Sequence, residues 1–293
     1  MNPKHKDAGK PVVIFNVQEE GGSLKTAEKA IAAARRMIEE VDRQERVPMP
    51  WEKLLVSMKC GGSDAMSGVT SNAALGSVSD WLVEKGATVM IGETTEMIGT
   101  EHILERRAKD EQVAERIAKM VEEADRLTHE IMGPMAGLVI SPGNMDGGMS
   151  TIAEKSMGCI LKGGSSPINQ VVDYGEVPSE RGLVLQDGPG SDGDAMAGLA
   201  ASGSQLIFFS TGRGTPVGFP ILPVIKVSSN SKIYKAMPDD MDINAGILLE
   251  GESLMVLRDQ LIDLMVRVIN GEKTKAEANG MDVFTFMTVQ PPF

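Results

Sequence analysis

Short apolar runs alternate with amphipathic stretches along this chain. Val12, Val13, Ile14 and Phe15 form one continuous run within Pro11–Val17; others are Leu54–Met58, Ala87–Ile91, Gly137–Ile140, Leu183–Leu185, Leu206–Phe209 and Pro223–Val227. Continuous apolar runs of this length, bounded by turn residues, predict strands buried on both faces. Ala27, Ala30, Ile31, Ala34, Ile38 and Val41 recur at helical spacing and predict a helix over Leu24–Arg46, with Ser23 as its N-cap and Pro48 beyond its end. Further helices are predicted over Asn72–Lys85 (closed by Gly86), Glu101–Ile131 (as one helix or two), Thr151–Leu161, Asp194–Ala201 and Glu252–Ile269. Pro167–Val172 fits either state, and Val283–Val289 has strand composition. Alternating strands and helices predict an α/β fold with a mostly parallel sheet covered on both faces. Residues 1–10 read as a flexible tail and residues 11–293 as a single domain.

Most of the runs end in a small, polar, glycine-rich segment. These are Lys59-Cys60-Gly61-Gly62-Ser63-Asp64, Gly92-Glu93-Thr94-Thr95-Glu96, Ser141-Pro142-Gly143-Asn144, Asp187-Gly188-Pro189-Gly190-Ser191-Asp192, Thr211-Gly212-Arg213-Gly214-Thr215-Pro216 and Ser228-Ser229-Asn230. If the runs are parallel strands, all six endings share one edge of the sheet. Open α/β sheets bind ligands in the crevice outside that edge.

The bulk numbers narrow the function class. A net charge of -12 argues against nucleic acid, which requires a basic face. An anionic substrate must then be drawn in by local cations or a metal. Two cysteines, Cys60 and Cys159, are too few for a disulfide framework and fit a reducing, cytoplasmic setting. No apolar stretch approaches the roughly 20 residues of a membrane helix, and no signal peptide is evident.

Cys60 and Asp64 lie on a glycine-rich turn ahead of a predicted helix. Such a turn can hold an anion or activate a thiol; it is equally a tight turn with an inert cysteine. Glu93, Glu96 and His102 can bind a divalent metal or act as acid and base, or can be a helix cap with solvated glutamates. Arg213, alone among glycines in an acidic chain, suits bidentate recognition of a carboxylate. Lys155 and Lys162 flank the helix after Asn144. The acidic run Asp239–Asp242 lacks calcium-loop spacing. Nucleophile-elbow, zinc-protease and dinucleotide motifs are absent.

Taken in order, Cys60-Gly61-Gly62-Ser63-Asp64-Ala65, Ser67-Gly68-Val69-Thr70-Ser71-Asn72, Gly92–Glu96, Gly143-Asn144, Gly147-Gly148, Glu154-Lys155, Thr211–Pro216, Pro223-Val224-Ile225-Lys226 and Met241–Gly246 resemble the signatures of the altronate/galactarate dehydratase family. The resemblance implies a Rossmann-like variant around seven parallel strands. It also implies a lyase that performs β-elimination on a sugar acid, giving a 2-keto-3-deoxy acid. A divalent metal is implied with it, ferrous iron first and Mn2+ or Ca2+ as alternatives. The family also holds the large subunit of sulfolactate sulfo-lyase, so a carbon–sulfur lyase is the second reading and a non-catalytic binding subunit the third. Family dehydratases usually carry an amino-terminal β-clip domain; this chain lacks that segment, so a small β-clip subunit or domain is expected as a partner, together with homo-oligomerisation. On the matching motifs, Cys60, Glu93, Glu96 and His102 are expected as metal ligands. Lys155 is the expected base, with His102 as its rival, and Asp64 joins them as a catalytic group. Arg213, Thr211, Asn144, Asp192, Asn230 and Ser63 are expected to hold substrate.

Overall fold

The computed structural model describes residues 11–138 and 140–285, and they divide into two compact units, one up to Met49 and one from Pro50 onward. The first holds α1 (Ser23–Asp42). The run Pro11–Val17 is not a strand here: Val12–Phe15 have no ladder partner among the described residues. A strand needs a neighbour for its backbone groups, and none is found among the described residues. Ser23 is the first helical residue rather than the cap, which is Gly22.

The second unit is built on β1 (Leu55–Cys60), β2 (Thr88–Ile91), β3 (Ile168–Val172), β4 (Gly182–Gln186), β5 (Leu206–Thr211), β6 (Val224–Ser228) and β7 (Ile243–Asn244). They form one parallel sheet in the order β3-β4-β2-β1-β5-β6-β7. The helices are α2 (Ser71–Glu84), α3 (Glu101–Glu105), α4 (Glu111–Met132), α5 (Pro142–Asp146), α6 (Ile152–Cys159), α7 (Asp192–Ala201), α8 (Ser231–Ala236), α9 (Leu254–Ile269) and α10 (Lys275–Asn279). The α/β expectation therefore holds, although two of the strands differ from those expected. Gly133–Leu138 is a 3-10 helix where a strand was expected through Ile140, and Val139 lies outside the described residues. The open segment Pro167–Val172 supplies β3, and the short β7 replaces the amino-terminal run. Of the strand expected over Val283–Val289, the first three residues join no strand, and the rest lie outside the described residues.

Burial explains the strand sequences. Every residue of β1, β2, β4, β5 and β6 is buried, as expected for central parallel strands. One core lies on the face covered by α2, α4 and α9, with Leu75, Ile117, Leu261 and Phe208 at its heart. A smaller core lies on the other face, where Met196 and Leu199 of α7 meet Ile207 and Phe209. The chain leaves β1 in one direction to β2 and returns on its other side as β5, so the strand order reverses at β1. The carboxyl ends of β1 and β5 are where the switch-point rule places a ligand site. No helix among the described residues is long and apolar enough to cross a membrane.

Candidate active site

Charge converges at the carboxyl ends of β1 and β2. β1 ends in Lys59 and Cys60; both are buried because the strand is covered on both faces. β2 leads through Gly92 to Glu93, whose φ of 71° is the one left-handed non-glycine backbone among the described residues. A bulky residue in that region is held against its preference, a strain that collects at functional sites. The turn aims Glu93 back at β1 and lets the 3-10 turn Thr94–Met97 bring in Glu96. α6 supplies Lys155 and, one turn later on the same face, Cys159. Lys162 follows from the 3-10 turn Ile160–Gly163.

These side chains contact one another directly. Cys60 Sγ lies 2.9 Å from Glu96 Oε2 and 3.3 Å from Cys159 Sγ. The Lys162 ammonium donates to Cys60 Sγ and Glu93 Oε2 at 3.0 Å each, and to Glu96 Oε2 at 3.2 Å. Lys155 Nζ lies 3.0 Å from Glu96 Oε1. Lys59 pairs with Glu93 and, at 2.9 Å, with Asp192. The Cys60 amide donates to Glu93 Oε2.

Three lysines, Lys59, Lys155 and Lys162, thus face three carboxyl groups, Glu93, Glu96 and Asp192. Burial alone would drive every member toward neutrality; the neighbours decide otherwise. Burial depresses Lys162, but Cys60, Glu93 and Glu96 lift it well above the usual lysine range. Lys59 and Lys155 are likewise raised against burial, by Glu93 and by Glu96 respectively. Glu96 is raised by burial, yet Lys162, Lys155 and Lys59 hold it below the usual carboxylate range. Glu93 goes the other way: burial and the charge of Glu96 outweigh its lysines and raise it. Cys159 is raised well above a normal thiol by its hydrogen bond with Cys60 and by burial.

Cys60, Glu96 and Cys159 present one ligand atom each, all within 4.8 Å of one another. Two thiols and a carboxylate, all three buried, form a workable donor set for a transition metal. The donor chemistry therefore fits a metal, and Lys162 already places a positive charge beside the same atoms.

The loops that follow β1 and β5 are polar and tightly tied. Gly212 and Arg213 donate their amides to Gly62 O at 3.0 and 2.9 Å. Asp64 accepts from Ser67 Oγ and Ser229 Oγ at 2.8 Å and from Asn230 Nδ2 at 2.9 Å. Gly212 is required beside it, because a Cβ there would sit 2.3 Å from Asp64 Cγ. Asn230 also caps α8 through Ile233 N. Thr211 Oγ1 accepts from the amides of Gly214 and Thr215 and shapes the arginine loop. Asn144 closes a capping box with Ser141 and donates to Ser63 O at 2.8 Å. The buried Ser63 hydroxyl has no partner among the described residues. Arg213 extends from these loops, its side chain 46% exposed and 3.9 Å from Asp146.

The structure therefore brings together Cys60, Glu93, Glu96 and Lys155, and links Asp192 to them through Lys59. It gathers Asp64, Asn230, Thr211, Ser63 and Asn144 around the adjoining loops, where most of their polar atoms already bind protein. His102 is exposed on α3 and is not among the converging donors. Lys59, Cys159 and Lys162 complete the cluster and were not among the expected site residues. Lys59 did carry a signal, as the one charged residue within β1.

The sequence profile of the family "D-galactarate/Altronate dehydratase, C-terminal" matches residues 51–291. The chain is similar to the altronate dehydratase of Bacillus subtilis (strain 168), with 39% identity over 254 residues, 86% of this chain and 50% of that protein. The galactarate dehydratase (L-threo-forming) of Escherichia coli (strain K12) is 38% identical over 264 residues, 89% and 50% respectively. The (2R)-sulfolactate sulfo-lyase subunit beta of Chromohalobacter salexigens is 34% identical over 275 residues, 93% and 70%. The chain spans about half the length of the two dehydratases.

Proposed function

The chain belongs to the galactarate/altronate dehydratase C-terminal family, and from that premise we propose that it forms the metal-holding part of a lyase acting on a sugar acid. The reading is carried by one observation: Cys60, Glu96 and Cys159 converge within 4.8 Å at the strand edge, with Lys155 and Lys162 against them. Cys60, Glu96 and Cys159 would hold a divalent cation. When bound, that cation would act as a Lewis acid toward the substrate carboxylate, easing the negative charge that develops on it. Thiol donors favour ferrous iron over Ca2+, which takes six to eight oxygens.

The reaction is β-elimination. A base takes the proton next to the carboxylate, the neighbouring C–O bond breaks, hydroxide leaves as water once protonated, and the enol becomes a 2-keto-3-deoxy acid. Arg213, half exposed on a mobile-length side chain in the loop after β5, receives a substrate carboxylate in a fork geometry. The Ser63 hydroxyl, buried and without a partner among the described residues, is assigned to a substrate hydroxyl. Asp64, Asn230, Thr211 and Asn144 fix the loops that carry these groups. Lys155, held as an ammonium by Glu96, protonates the departing oxygen; it would become a base only with the charge of Glu96 withdrawn. His102, exposed nearby in sequence, remains the alternative base. Asp192 keeps Lys59 charged at the floor of the site.

Carbon–sulfur cleavage is the second reading, supported by the larger share, 70%, of the sulfo-lyase subunit that the chain spans. There sulfite would leave in place of hydroxide. The subunit designation of that relative also supports a partner polypeptide for this chain. The test is anaerobic incubation with ferrous iron and, separately, galactarate, altronate and sulfolactate, reading 2-keto acid and sulfite. Keto acid from a sugar acid without sulfite supports the dehydratase; pyruvate with sulfite supports the sulfo-lyase. Metal bound without turnover, even with a partner half supplied, would refute both.

A further inference from the structure

The two cysteines of this chain stand 99 positions apart in sequence, yet the fold brings them into contact. Cys60 ends β1, Cys159 ends α6, and their sulfurs lie 3.3 Å apart. Both are buried free thiols. A disulfide has an S–S separation of about 2.05 Å, so the sulfurs need to close by a little over 1 Å. β1 is buried throughout and paired on both sides, which holds Cys60 in place. Cys159 has more room to adjust. There α6 passes into the 3-10 turn Ile160–Gly163, and Gly158 just before it rests on the backbone of Gly68, a contact with no side chain on either part.

We propose that Cys60 and Cys159 are a redox pair: hydrogen peroxide joins them in a disulfide that withdraws both sulfurs from the metal site, and a dithiol reductant restores them. Glu96 Oε2, 2.9 Å from Cys60 Sγ, accepts the thiol proton, and the Lys162 ammonium stands 3.0 Å from the same sulfur. The sulfur attacks one peroxide oxygen, the O–O bond breaks, and Cys60 becomes a sulfenic acid. The departing hydroxide takes up the released proton and leaves as water. Cys159 Sγ then attacks the Cys60 sulfur, the S–O bond breaks, and hydroxide leaves with the Cys159 proton as a second water. Two electrons pass from the two sulfurs to one peroxide.

The neighbouring thiol decides the outcome, because a sulfenic acid without a thiol partner goes on to sulfinic acid, which a dithiol does not reduce. Metals are held by thiolates, so the disulfide leaves only Glu96 of the three converging donors. The disulfide itself stands on the two sulfurs alone; its effect on metal rests on the reading of the site under Proposed function.

The full chain, freed of metal, is treated with hydrogen peroxide, quenched, unfolded and alkylated without reductant. Peptide mapping reads the result, because methionines also take up oxygen and obscure the intact mass. The expected result is a crosslinked peptide pair joining Cys60 to Cys159, no alkylated cysteine, and return of both thiols with dithiothreitol. Cobalt(II) gives a thiolate band with the reduced chain and one at least tenfold weaker with the oxidised chain; dithiothreitol, which leaves methionine sulfoxide in place, restores it. In Cys159→Ser the crosslink is lost and dimedone labels Cys60. The proposal is overturned by two alkylated cysteines after treatment, by sulfinic acid in place of the crosslink, or by a cobalt band of equal strength in both states. A crosslink in a chain whose reduced form binds no cobalt supports the disulfide and refutes the metal reading instead.

Discussion

Replacing Lys162 with methionine removes the cation at the centre of the buried cluster and keeps much of the side-chain volume. Its ammonium serves Cys60 and Glu93 at 3.0 Å and Glu96 at 3.2 Å. Deleting one partner of a buried pair costs about 3–5 kcal/mol, because the remaining charge is left uncompensated. Lys59 and Lys155 still face the two glutamates, which places the expected loss near the lower end, about 3 kcal/mol. With a urea slope of about 3 kcal/mol/M, the midpoint falls by about 1 M. The sign of the pH dependence follows from Glu93. Its folded carboxyl is raised above the ordinary value of 4.5 by burial and Glu96, and Lys162 opposes that rise. A raised carboxyl loses stability as pH climbs through its folded value. The variant raises Glu93 further, so its deficit is largest at neutral pH and shrinks on acidification. Glu96 acts in the same direction: its folded carboxyl is depressed, so its stabilisation exists above 4.5 and is lost as pH falls through the lower folded value. Lys162→Met removes part of that stabilisation where it exists. Urea titrations followed by the fluorescence of Trp51 and Trp81, in chelator at pH 7.5 and pH 5, read both effects. A loss under about 1 kcal/mol at pH 7.5, or an equal loss at both pH values, would refute the reasoning.

Arg213→Ala should leave the thermal midpoint unchanged, because its side chain is half exposed and its pairing with Asp146 is loose; it should raise KM for the turned-over acid, and an unchanged KM would remove Arg213 from substrate binding. Gly212→Ala should destabilise by about 1–3 kcal/mol, the range for forcing an atom into a packed site, since Asp64 must give way; a neutral effect in denaturant melts would count against that contact. Cobalt(II) loading should give a near-ultraviolet thiolate charge-transfer band that Cys159→Ser reduces to about half, as one of two sulfur ligands is lost; a band of undiminished intensity would place Cys159 outside the metal shell.

What the sequence revealed and what it concealed have a common physical origin. Period and punctuation located β1, β2, β4, β5 and β6 because a strand covered on both faces is apolar at most positions, as few other short segments are. The same rule misread residues 11–17. Their composition is that of a buried strand, yet they find no ladder partner within the described residues. Apolar composition records what a segment is built to pack against, whether or not the packing partner lies in the chain. At the site, the strand-end rule gathered Cys60, Glu93, Glu96, Asp64, Arg213 and Asn230 onto one edge. It did not find Cys159 or Lys162, because they arrive from α6 and the turn after it, and a helix position says nothing about a strand end until the connection is folded. It also promoted His102, which follows Glu96 closely in sequence but emerges on an exposed helix face. Lys59 was the cation most open to recognition. A lysine at the end of a wholly buried strand must meet a counter-charge, and that requirement points from Lys59 to Glu93 and Asp192 and so to the centre of the cluster. Lys226 obeys the same logic with a different solution. Also wholly buried, it lies against the Phe209 ring at 3.1 Å, donates to Val217 O, and is pushed well below the usual lysine range by burial and by Lys59. Two lysines that flank Phe209 in one register row, on β1 and β6, are thus shifted in opposite directions: Lys59, in ion pairs with Glu93 and Asp192, upward, and Lys226, which has no ion pair among the described residues, downward.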